Sequence, residues 1–307
     1  VNSSQEIIFP TLEINKYKDS KVIPEYDGNQ VVEQQILEII QQMMPGKNLR
    51  DKQIEGIESI LSNPVTTVIL PTGYGKTKIA QSAIISRLLD QEKKSIGPTL
   101  IIYPTISLIH DQRNAWEKEL RKNIESYNKS NSKKPLRIPK TLFLTSEYRD
   151  KYNINSYNIY SKLIANEYDV LCCSPEFIFN KGKGTNLLDI IPQMKTPFSN
   201  IIIDEVHTFF DWGDSIRGDY LLLPVLENLL REINPDLHTI FMTATLHPRD
   251  EKRLIKLFNL DTLFSSSQSI RYDNIREDLA FSIIEIPNTE ELIPKSCKII
   301  QDQSNRI

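Results

Sequence analysis

The chain has 307 residues, 39% of them hydrophobic and 25% charged, so it can build a sizeable core; this composition excludes disordered, collagen-like and coiled-coil proteins. Lysine and arginine together number 37 and aspartate and glutamate 40, so the net charge is −3 and any contact with nucleic acid must come from a local patch. The three cysteines have no CxxC spacing, and no run approaches the roughly 20 apolar residues of a membrane span. We therefore expect a soluble, cytoplasmic protein without zinc, disulfides or a membrane partner.

The N-terminal region is predicted to be an arm followed by a helix. Because the chain opens at Val1 without Met, we expect it to be a segment of a longer protein. Residues 1–28 show no sustained apolar period, which is typical of an extended arm. Between Gln30 and Met44 apolar residues recur at three- and four-residue spacings, so this stretch is predicted to be a helix, and residues 1–46 form the arm and helix. A second helix is predicted over about Asp51–Leu61.

Short apolar runs then alternate with helix-length stretches. Continuous hydrophobicity over four to eight residues is typical of strands that are buried on both faces of a parallel sheet. The pattern therefore predicts an α/β domain over about residues 47–265, and one more β-like run, Leu279–Ile286, precedes a polar tail. Cys172 and Cys173 are expected to pack inside the fourth strand. The six predicted strands of the domain are Thr66–Leu70, Thr99–Tyr103, Thr141–Leu144, Asp169–Cys173, Asn200–Ile203 and His238–Met242.

A basic segment separates the second and third of these strands. Nine basic and three acidic residues lie between Arg113 and Lys140, a local net charge of +6. Serine, asparagine and lysine are crowded around residues 127–134. The segment is either a solvated insertion loop or a surface that meets phosphates.

The first strand runs into a glycine-containing loop and then a predicted helix. Glycines at 73 and 75 let backbone N–H groups turn toward an anion, and the helix dipole adds positive potential. In this arrangement Lys76 reaches terminal phosphates and the Thr77 hydroxyl can bind Mg²⁺. The stricter phosphate-loop pattern has glycine where this chain has Leu70, so an ordinary glycine turn is the alternative. The candidate loop is Pro71-Thr72-Gly73-Tyr74-Gly75-Lys76-Thr77.

A second chemical motif, Ile201-Ile202-Ile203-Asp204-Glu205-Val206-His207, is an apolar strand that ends in two carboxylates. This position is the carboxyl edge of the sheet, where ligands of open α/β sheets bind. Asp204 would hold Mg²⁺ through water, and Glu205 would orient and deprotonate the water that attacks a γ-phosphate. The two motifs together favour a nucleoside triphosphate site over a chance glycine turn.

These motifs resemble those of superfamily 2 helicases, the DEAD/DEAH class in the broad sense, and more narrowly the RecQ family. Leu49-Arg50-Asp51-Lys52-Gln53 resembles the RecQ segment that recognises adenine, which implies that Arg50 packs on the base and Gln53 pairs with its edge. The resemblance covers about residues 47–275. It implies a RecA-like P-loop fold, a three-layer sandwich with a mainly parallel sheet and flanking helices, and it implies ATP and Mg²⁺ as cofactors.

Further motifs follow in the family's order. Pro104–Gln112 is similar to the motif that lies on the DNA-facing side, which implies DNA contacts for Ser107 and Gln112. Ser174-Pro175-Glu176 resembles the next DNA motif and adds Ser174 as a contact. Thr243-Ala244-Thr245 resembles the motif that couples hydrolysis to movement, and His207 would carry the γ-phosphate state to Thr243 and Thr245. A histidine that is simply satisfied in the core is the alternative for His207.

The stretch His207–Tyr220 resembles the aromatic-rich loop by which RecQ enzymes sense single-stranded DNA. Trp212 and Arg217 match the loop and are expected to contact DNA, whereas Ile216 replaces its phenylalanine. Aromatic rings beside an arginine also form a platform on which bases stack, each worth about 1–3 kcal/mol. Phe209 and Phe210 either supply the missing ring or pack a helix onto the sheet.

The resemblance implies an ATP-dependent DNA helicase or translocase that acts on single-stranded or fork-like DNA, in the cytoplasm or at the nucleoid. No Gln-x-x-Gly-Arg-x-Gly-Arg stretch follows Thr245, so we expect residues 47–270 to be the ATP-binding lobe and residues 271–307 a linker. A second RecA-like lobe in cis, or a partner in trans, would supply the arginine finger, and this chain alone is expected to hydrolyse ATP poorly. The alternatives are a nucleotide-gated binding or scaffolding module completed by a partner, and an RNA helicase or restriction-type motor of the same superfamily.

Overall fold

A computed structural model describes residues 30–43, 48–89, 96–131, 135–145, 156–179, 187–211 and 218–272. Within this part of the chain seven strands form one sheet in the order β3-β4-β2-β5-β6-β1-β7, and every pair is parallel. The strands are β1 (Val65–Ile69), β2 (Thr99–Ile102), β3 (Thr141–Leu144), β4 (Val170–Cys173), β5 (Asn200–Asp204), β6 (His238–Thr243) and β7 (Ser269–Arg271).

Helices connect the strands and cover both faces of the sheet. A π-helical stretch, Ala115–Glu119, joins the fourth and fifth helices, and short 3₁₀ turns span Ile191–Gln193, Gly218–Leu222 and Ser266–Gln268. In chain order the α-helices are α1 (Gln30–Gln42), α2 (Asp51–Ser62), α3 (Lys76–Leu89), α4 (Ile106–Asn114), α5 (Leu120–Ser130), α6 (Ser156–Ile164), α7 (Pro175–Phe179), α8 (Leu187–Ile190), α9 (Thr208–Asp211), α10 (Leu223–Ile233) and α11 (Pro248–Leu257). None of the described helices is long and apolar enough to cross a membrane.

Side chains alternate between two hydrophobic clusters, one on each face of the sheet. In β5, Ile201 and Ile203 belong to one cluster and Ile202 to the other, as the two-residue period of a strand requires. Helices α1 to α5 cover the face of Ile202, and helices from α6 onward cover the opposite face. The predicted α/β three-layer fold is therefore confirmed. Cys172 and Cys173 are fully buried in β4.

The six predicted strands are all present, each within one residue of its predicted ends. The helix predicted over Gln30–Met44 spans Gln30–Gln42 and packs on the same face as α3. Strand β7 was not anticipated, because a three-residue strand with one apolar side chain, Ile270, carries no recognisable apolar run. The division of the chain at residues 46 and 270 stays a prediction. Residues 1–29, the run Leu279–Ile286 and the linker beyond Tyr272 lie outside the described residues.

Most of the basic segment is helical, unlike the insertion loop that its composition suggested. The stretch from Ala115 to Ser130 is helical, and its buried side chains include Trp116, Leu120 and Ile124. The Trp116 indole Nε1 donates a hydrogen bond to the Tyr103 hydroxyl at 2.9 Å, which ties this helical stretch to the residue that follows β2. As far as Ser130 the segment is thus an amphipathic helical stretch with its charges outward, and the alternative of a phosphate-binding surface remains open. Residues 132–134 lie outside the described residues.

Candidate functional site

The loop between β1 and α3 has the backbone conformation that anion binding requires. Gly73 and Gly75 have φ angles of 78° and 101°, a region that other residues rarely adopt. A Cβ at Gly75 would also displace the Nε2 end of the Gln53 side chain, although the positive φ is the main reason for glycine there. Gln53 is 5% exposed. Gln53 and Gly75 are both expected in the nucleotide site from the sequence, and in the structure they lie side by side.

Lys76 opens α3 and turns its side chain back over the loop. Its ammonium Nζ donates a hydrogen bond to the Leu70 carbonyl at 2.9 Å. Burial lowers the pKa of Lys76, while the carboxylates of Glu205 and Asp204 act in the opposite direction. A partly desolvated ammonium interacts strongly with phosphate. Thr77 lies in the same first turn, so both side chains stand at the positive end of the helix dipole.

An arginine and two tyrosines flank the loop on its other side. The Arg50 guanidinium lies over the Tyr74 ring, with 4.6 Å between Cζ and the ring centroid, and Nη1 reaches the Tyr74 carbonyl at 3.5 Å. The Tyr74 and Tyr272 ring centroids are 5.0 Å apart. Gln53 Oε1 accepts a hydrogen bond from the Arg50 backbone N–H at 2.9 Å. Sequence reasoning missed Tyr272, because nothing local marks the residue that follows β7.

The two carboxylates lie at the end of β5. Asp204 Oδ1 accepts a hydrogen bond from the Glu205 backbone N–H at 2.9 Å, and Glu205 has a positive φ of 51°, which is strained for a non-glycine residue. Burial raises the pKa of Asp204 to about 7, and the neighbouring Glu205 carboxylate adds to the rise. A cation in the site, whether Lys76 or a metal ion, therefore favours the ionised form of Asp204.

Glu205, His207 and Thr243 form a connected polar cluster. His207 Nδ1 lies 3.1 Å from Glu205 Oε2 and 2.8 Å from the Thr243 hydroxyl, which itself lies 3.4 Å from Glu205 Oε2. The hydrogen bond from His207 lowers the pKa of Glu205, and Lys76 adds to this effect, so Glu205 is a carboxylate at neutral pH. His207 therefore contacts both the proposed catalytic Glu205 and the proposed coupling residue Thr243, and its part in coupling stays a prediction.

Thr243 also reaches the phosphate loop. It ends β6, which lies between β1 and β5, and its carbonyl accepts a hydrogen bond from the Leu70 N–H at 3.1 Å. The Thr243 hydroxyl contacts the Thr245 backbone, at 3.1 Å from its carbonyl oxygen. One buried threonine thus joins the start of the phosphate loop to the cluster around Glu205, and this connection explains how the two sequence motifs become one site.

Comparison with known proteins identifies the family to which this chain belongs. The family model for the DEAD/DEAH box helicase matches residues 50–254. The chain belongs to this helicase family. It is 26% identical over 231 residues to the ATP-dependent DNA helicase hus2/rqh1 of Schizosaccharomyces pombe, covering 75% of this chain and 15% of that protein. It is 25% identical over 266 residues to the ATP-dependent DNA helicase Q1 of Pongo abelii, covering 86% and 35% of the two chains.

Other relatives also fit the predicted RecQ-like character of this helicase domain. The chain is 26% identical over 243 residues to the ATP-dependent DNA helicase RecQ of Haemophilus influenzae, covering 79% of this chain and 33% of the relative. This helicase domain thus spans about a third of Q1 and RecQ and about a seventh of hus2/rqh1. The resemblance to RecQ-like helicases is confirmed.

The residues predicted to contact DNA in this helicase domain lie beyond the carboxyl ends of β2 and β4. Ser107 is exposed near the start of α4, where Thr105 caps the helix by accepting a hydrogen bond from the Leu108 N–H. Gln112 is partly exposed one turn further along α4. Ser174 is only 4% exposed at the end of β4. All three lie at the sheet edge that also carries Asp204, because the strands are parallel.

The aromatic stretch of the helicase domain divides into core and surface positions. Phe209 is 5% exposed and contacts Tyr220 and Phe258 edge to face, with centroids 5.2 and 5.7 Å apart. The suggestion that Phe209 supplies a base-stacking ring is therefore wrong, because this ring packs α9 onto the core. Phe210 is partly exposed, and the Arg253 guanidinium lies 5.0 Å above its ring. Trp212 and Arg217 lie outside the described residues.

Proposed function

We propose that this chain is the ATP-binding N-terminal lobe of a RecQ-like, ATP-dependent DNA helicase or translocase. The observation that carries the proposal is the convergence of three strand ends: Lys76 after β1, Glu205 after β5 and Thr243 at the end of β6. This arrangement offers one cation for phosphate, one ionised base and one polar link between them. Such a set suits hydrolysis of a phosphoanhydride more than nucleotide storage, so it favours an ATPase over a nucleotide-gated scaffold.

Each side chain has a defined part in the proposed reaction. The backbone N–H groups from Thr72 to Thr77 would surround the phosphates, except that of Tyr74, which donates to the Pro71 carbonyl at 3.1 Å, and the Lys76 ammonium would contact the terminal ones. Glu205 is held as a carboxylate by His207, so it can orient a water molecule and accept its proton. Arg50 presents a guanidinium face to the base, and Gln53 lies behind the loop where an amide can read the base edge.

The same site fits a magnesium ion. Mg²⁺ usually binds proteins through one or two oxygen ligands and completes its shell with water and substrate phosphate, rather than in a cage of protein ligands. Thr77 and Asp204 offer such oxygens, and within the described residues no group of three histidine, cysteine or acidic side chains could hold a metal on its own. When bound, the ion would neutralise charge on the phosphates. Thr77 and Asp204 are the residues that would hold it.

The proposed nucleic acid is single-stranded or fork-like DNA. Ser107, Gln112 and Ser174 follow strand ends beside the nucleotide site, and Trp212 and Arg217 are proposed as further contacts. Thr243 would couple the two ligands, because it contacts His207, and Thr245 follows it on the strand-end loop. A second RecA-like lobe, in cis or from a partner in trans, is proposed to complete the active site, and the protein would act in the cytoplasm or at the nucleoid.

Binding of a fluorescent ATP analogue with Mg²⁺ tests the nucleotide site directly. The chain should bind the analogue, Lys76→Ala should abolish binding, and Glu205→Gln should leave binding intact, because the Gln side chain keeps the size of Glu but cannot accept the proton. In an enzyme completed by its second lobe, Glu205→Gln should lose hydrolysis. Failure of the chain to bind ATP, or full binding by Lys76→Ala, would reject the proposed site.

A further inference from the structure

A cleft lies between the helical segment α4–α5 and the start of β3. Its floor is formed by Ile138, Pro139 and Tyr168, which precede strands β3 and β4. Because all strands are parallel, residues before the strands lie at the sheet edge opposite the phosphate loop. The floor of the cleft therefore lies at the edge opposite the nucleotide site, while its helical wall reaches back to Arg113, the residue after Gln112.

Positive charge dominates the walls of this cleft. Five cations and two carboxylates line it, and one cation, Arg113, is already engaged: its Nε lies 2.8 Å from Glu117 Oε2. The second carboxylate is Glu125, on the same helix. The remaining cations are all exposed, and none of them forms an ion pair with another described residue. They are Lys118, Arg121, Lys122 and Lys140.

The cations are repeated along one wall of the cleft. Lys118 and Lys122 are four residues apart on a helical stretch, which is about 6 Å along its axis at 1.5 Å per residue. Cations repeated along a groove can follow the backbone of a single strand. Lys140 adds a cation on the opposite wall, where β3 begins.

The floor of the cleft adds an aromatic side chain, Tyr168, to the cations of its walls. Tyr168 is partly buried and lines the cleft beside apolar Ile138 and Pro139. A cationic groove with an aromatic side chain is the combination by which proteins hold single-stranded nucleic acid, phosphates on the cations and a base on the ring. The charge pattern and the ring together favour a nucleic-acid strand over an acidic peptide, which has no flat base to stack.

We propose that this cleft is a second binding site for single-stranded DNA, with its floor at the sheet edge opposite the ATP site. The inference rests on the proposed DNA helicase function, since it takes the same polymer as ligand. Lys118, Arg121 and Lys122 contact the phosphates and Tyr168 stacks on a base. A strand that leaves the main path across the sheet edge could thus be held on the far end of the same domain.

Salt dependence distinguishes phosphate contacts from other effects. The cleft variant combines Lys118→Gln, Arg121→Gln and Lys122→Gln. The control combines Lys162→Gln, Lys195→Gln and Lys252→Gln, three exposed lysines outside the cleft that give the same change of charge. Binding of fluorescein-labelled oligothymidine is titrated over a series of KCl concentrations. Three lost phosphate contacts should reduce the slope of log K against log salt by about 2, at about 0.7 per contact, whereas the control keeps the wild-type slope.

The outcomes separate this inference from the function on which it rests. If the wild-type chain binds no oligothymidine, the proposed DNA function fails and the cleft proposal with it. If the wild type binds and the cleft variant keeps the wild-type slope, only the cleft proposal is overturned. An equal loss in the control also overturns it. Loss of binding to a polyglutamate peptide, with oligothymidine binding unchanged, would assign the cleft to an acidic protein partner instead and overturn the proposal.

Discussion

The Nδ1 atom of His207 lies 2.8 Å from the Thr243 hydroxyl and 3.1 Å from the Glu205 carboxylate. One ring nitrogen carries at most one proton, so at any moment it donates to only one of these oxygens. The imidazole therefore links the proposed base after β5 to the threonine that ends β6. A change in the contacts of either oxygen alters the hydrogen bond available to the other.

This relationship predicts a pH effect of His207→Ala. The hydrogen bond from His207 is the largest cause of the lowered pKa of Glu205, so its loss should raise that pKa toward the ordinary value. Glu205 would then take up a proton at a higher pH, and the acidic limb of the pH profile of ATP hydrolysis should move to higher pH. The measurement is the hydrolysis rate against pH for both proteins, each completed by its second lobe, with nucleotide affinity as the control. An unmoved acidic limb would show that His207 does not control the base.

The contact of Arg50 with Tyr74 predicts a modest role for the tyrosine in nucleotide binding. Tyr74→Ala removes the ring on which the guanidinium rests, whereas Tyr74→Phe keeps it. A cation–π contact at an exposed position is worth about 0.5–1 kcal/mol, so Tyr74→Ala should weaken ATP binding by roughly two- to fivefold. Dissociation constants of an ATP analogue test this, and equal weakening by Tyr74→Phe would assign the effect to the hydroxyl.

Gly75→Ala should impair the phosphate loop far more than an ordinary glycine replacement. At φ 101° an alanine is strained by about 1–2 kcal/mol, and its Cβ would collide with the Gln53 amide. We expect loss of ATP-analogue binding with a fold that still melts cooperatively. Gly218→Ala is the matched control, because no heavy atom lies within 4 Å of a Cβ built there. Wild-type binding by Gly75→Ala would mean that the loop adopts another conformation when it holds phosphate.

The buried ion pairs of Asp169 predict that the stability of the domain depends on pH. Burial alone would raise the pKa of Asp169, but hydrogen bonds from Arg137, the Lys140 backbone and Arg87 outweigh it and lower the pKa. The carboxylate is 2% exposed, and Arg87 Nε and Arg137 Nη2 lie 2.8 and 2.6 Å from it. A depressed pKa stabilises the folded state above the unfolded pKa, about 3.9 for aspartate, and this stabilisation is lost as the pH falls through the folded pKa.

Asp169→Asn should therefore destabilise the domain by about 3–5 kcal/mol at neutral pH, since it leaves the buried Arg87 without a counter-ion. The difference from wild type should shrink as the pH falls below about 4. Urea unfolding at a series of pH values measures both effects. The exposed Asp236 offers a control, because Asp236→Asn should change stability by less than about 0.5 kcal/mol. A pH-independent cost of Asp169→Asn would mean that packing, not charge, stabilises this site.

The strands were predictable because burial on both faces leaves a continuous apolar run. Asn200–Asp204 and its neighbours carry this signal, and the residues of the nucleotide site sit at positions fixed by the strand ends. Besides β7, two features escaped prediction for physical reasons. The helix Leu120–Ser130 has few apolar residues, because only one narrow stripe is buried, so its composition is that of a loop. Tyr272 contacts Tyr74 only through the tertiary fold, and no local pattern encodes such a contact.

The positive φ of Glu205 lowers folding stability at the position where a carboxylate is proposed to act as the base. Glycine or asparagine would adopt this left-handed backbone with less strain, but neither can accept a proton from water. Selection for thermal stability alone would thus drive position 205 away from glutamate. Under the proposed mechanism, a stabilised descendant of this domain that has glycine or asparagine at position 205 would bind nucleotide without hydrolysing it.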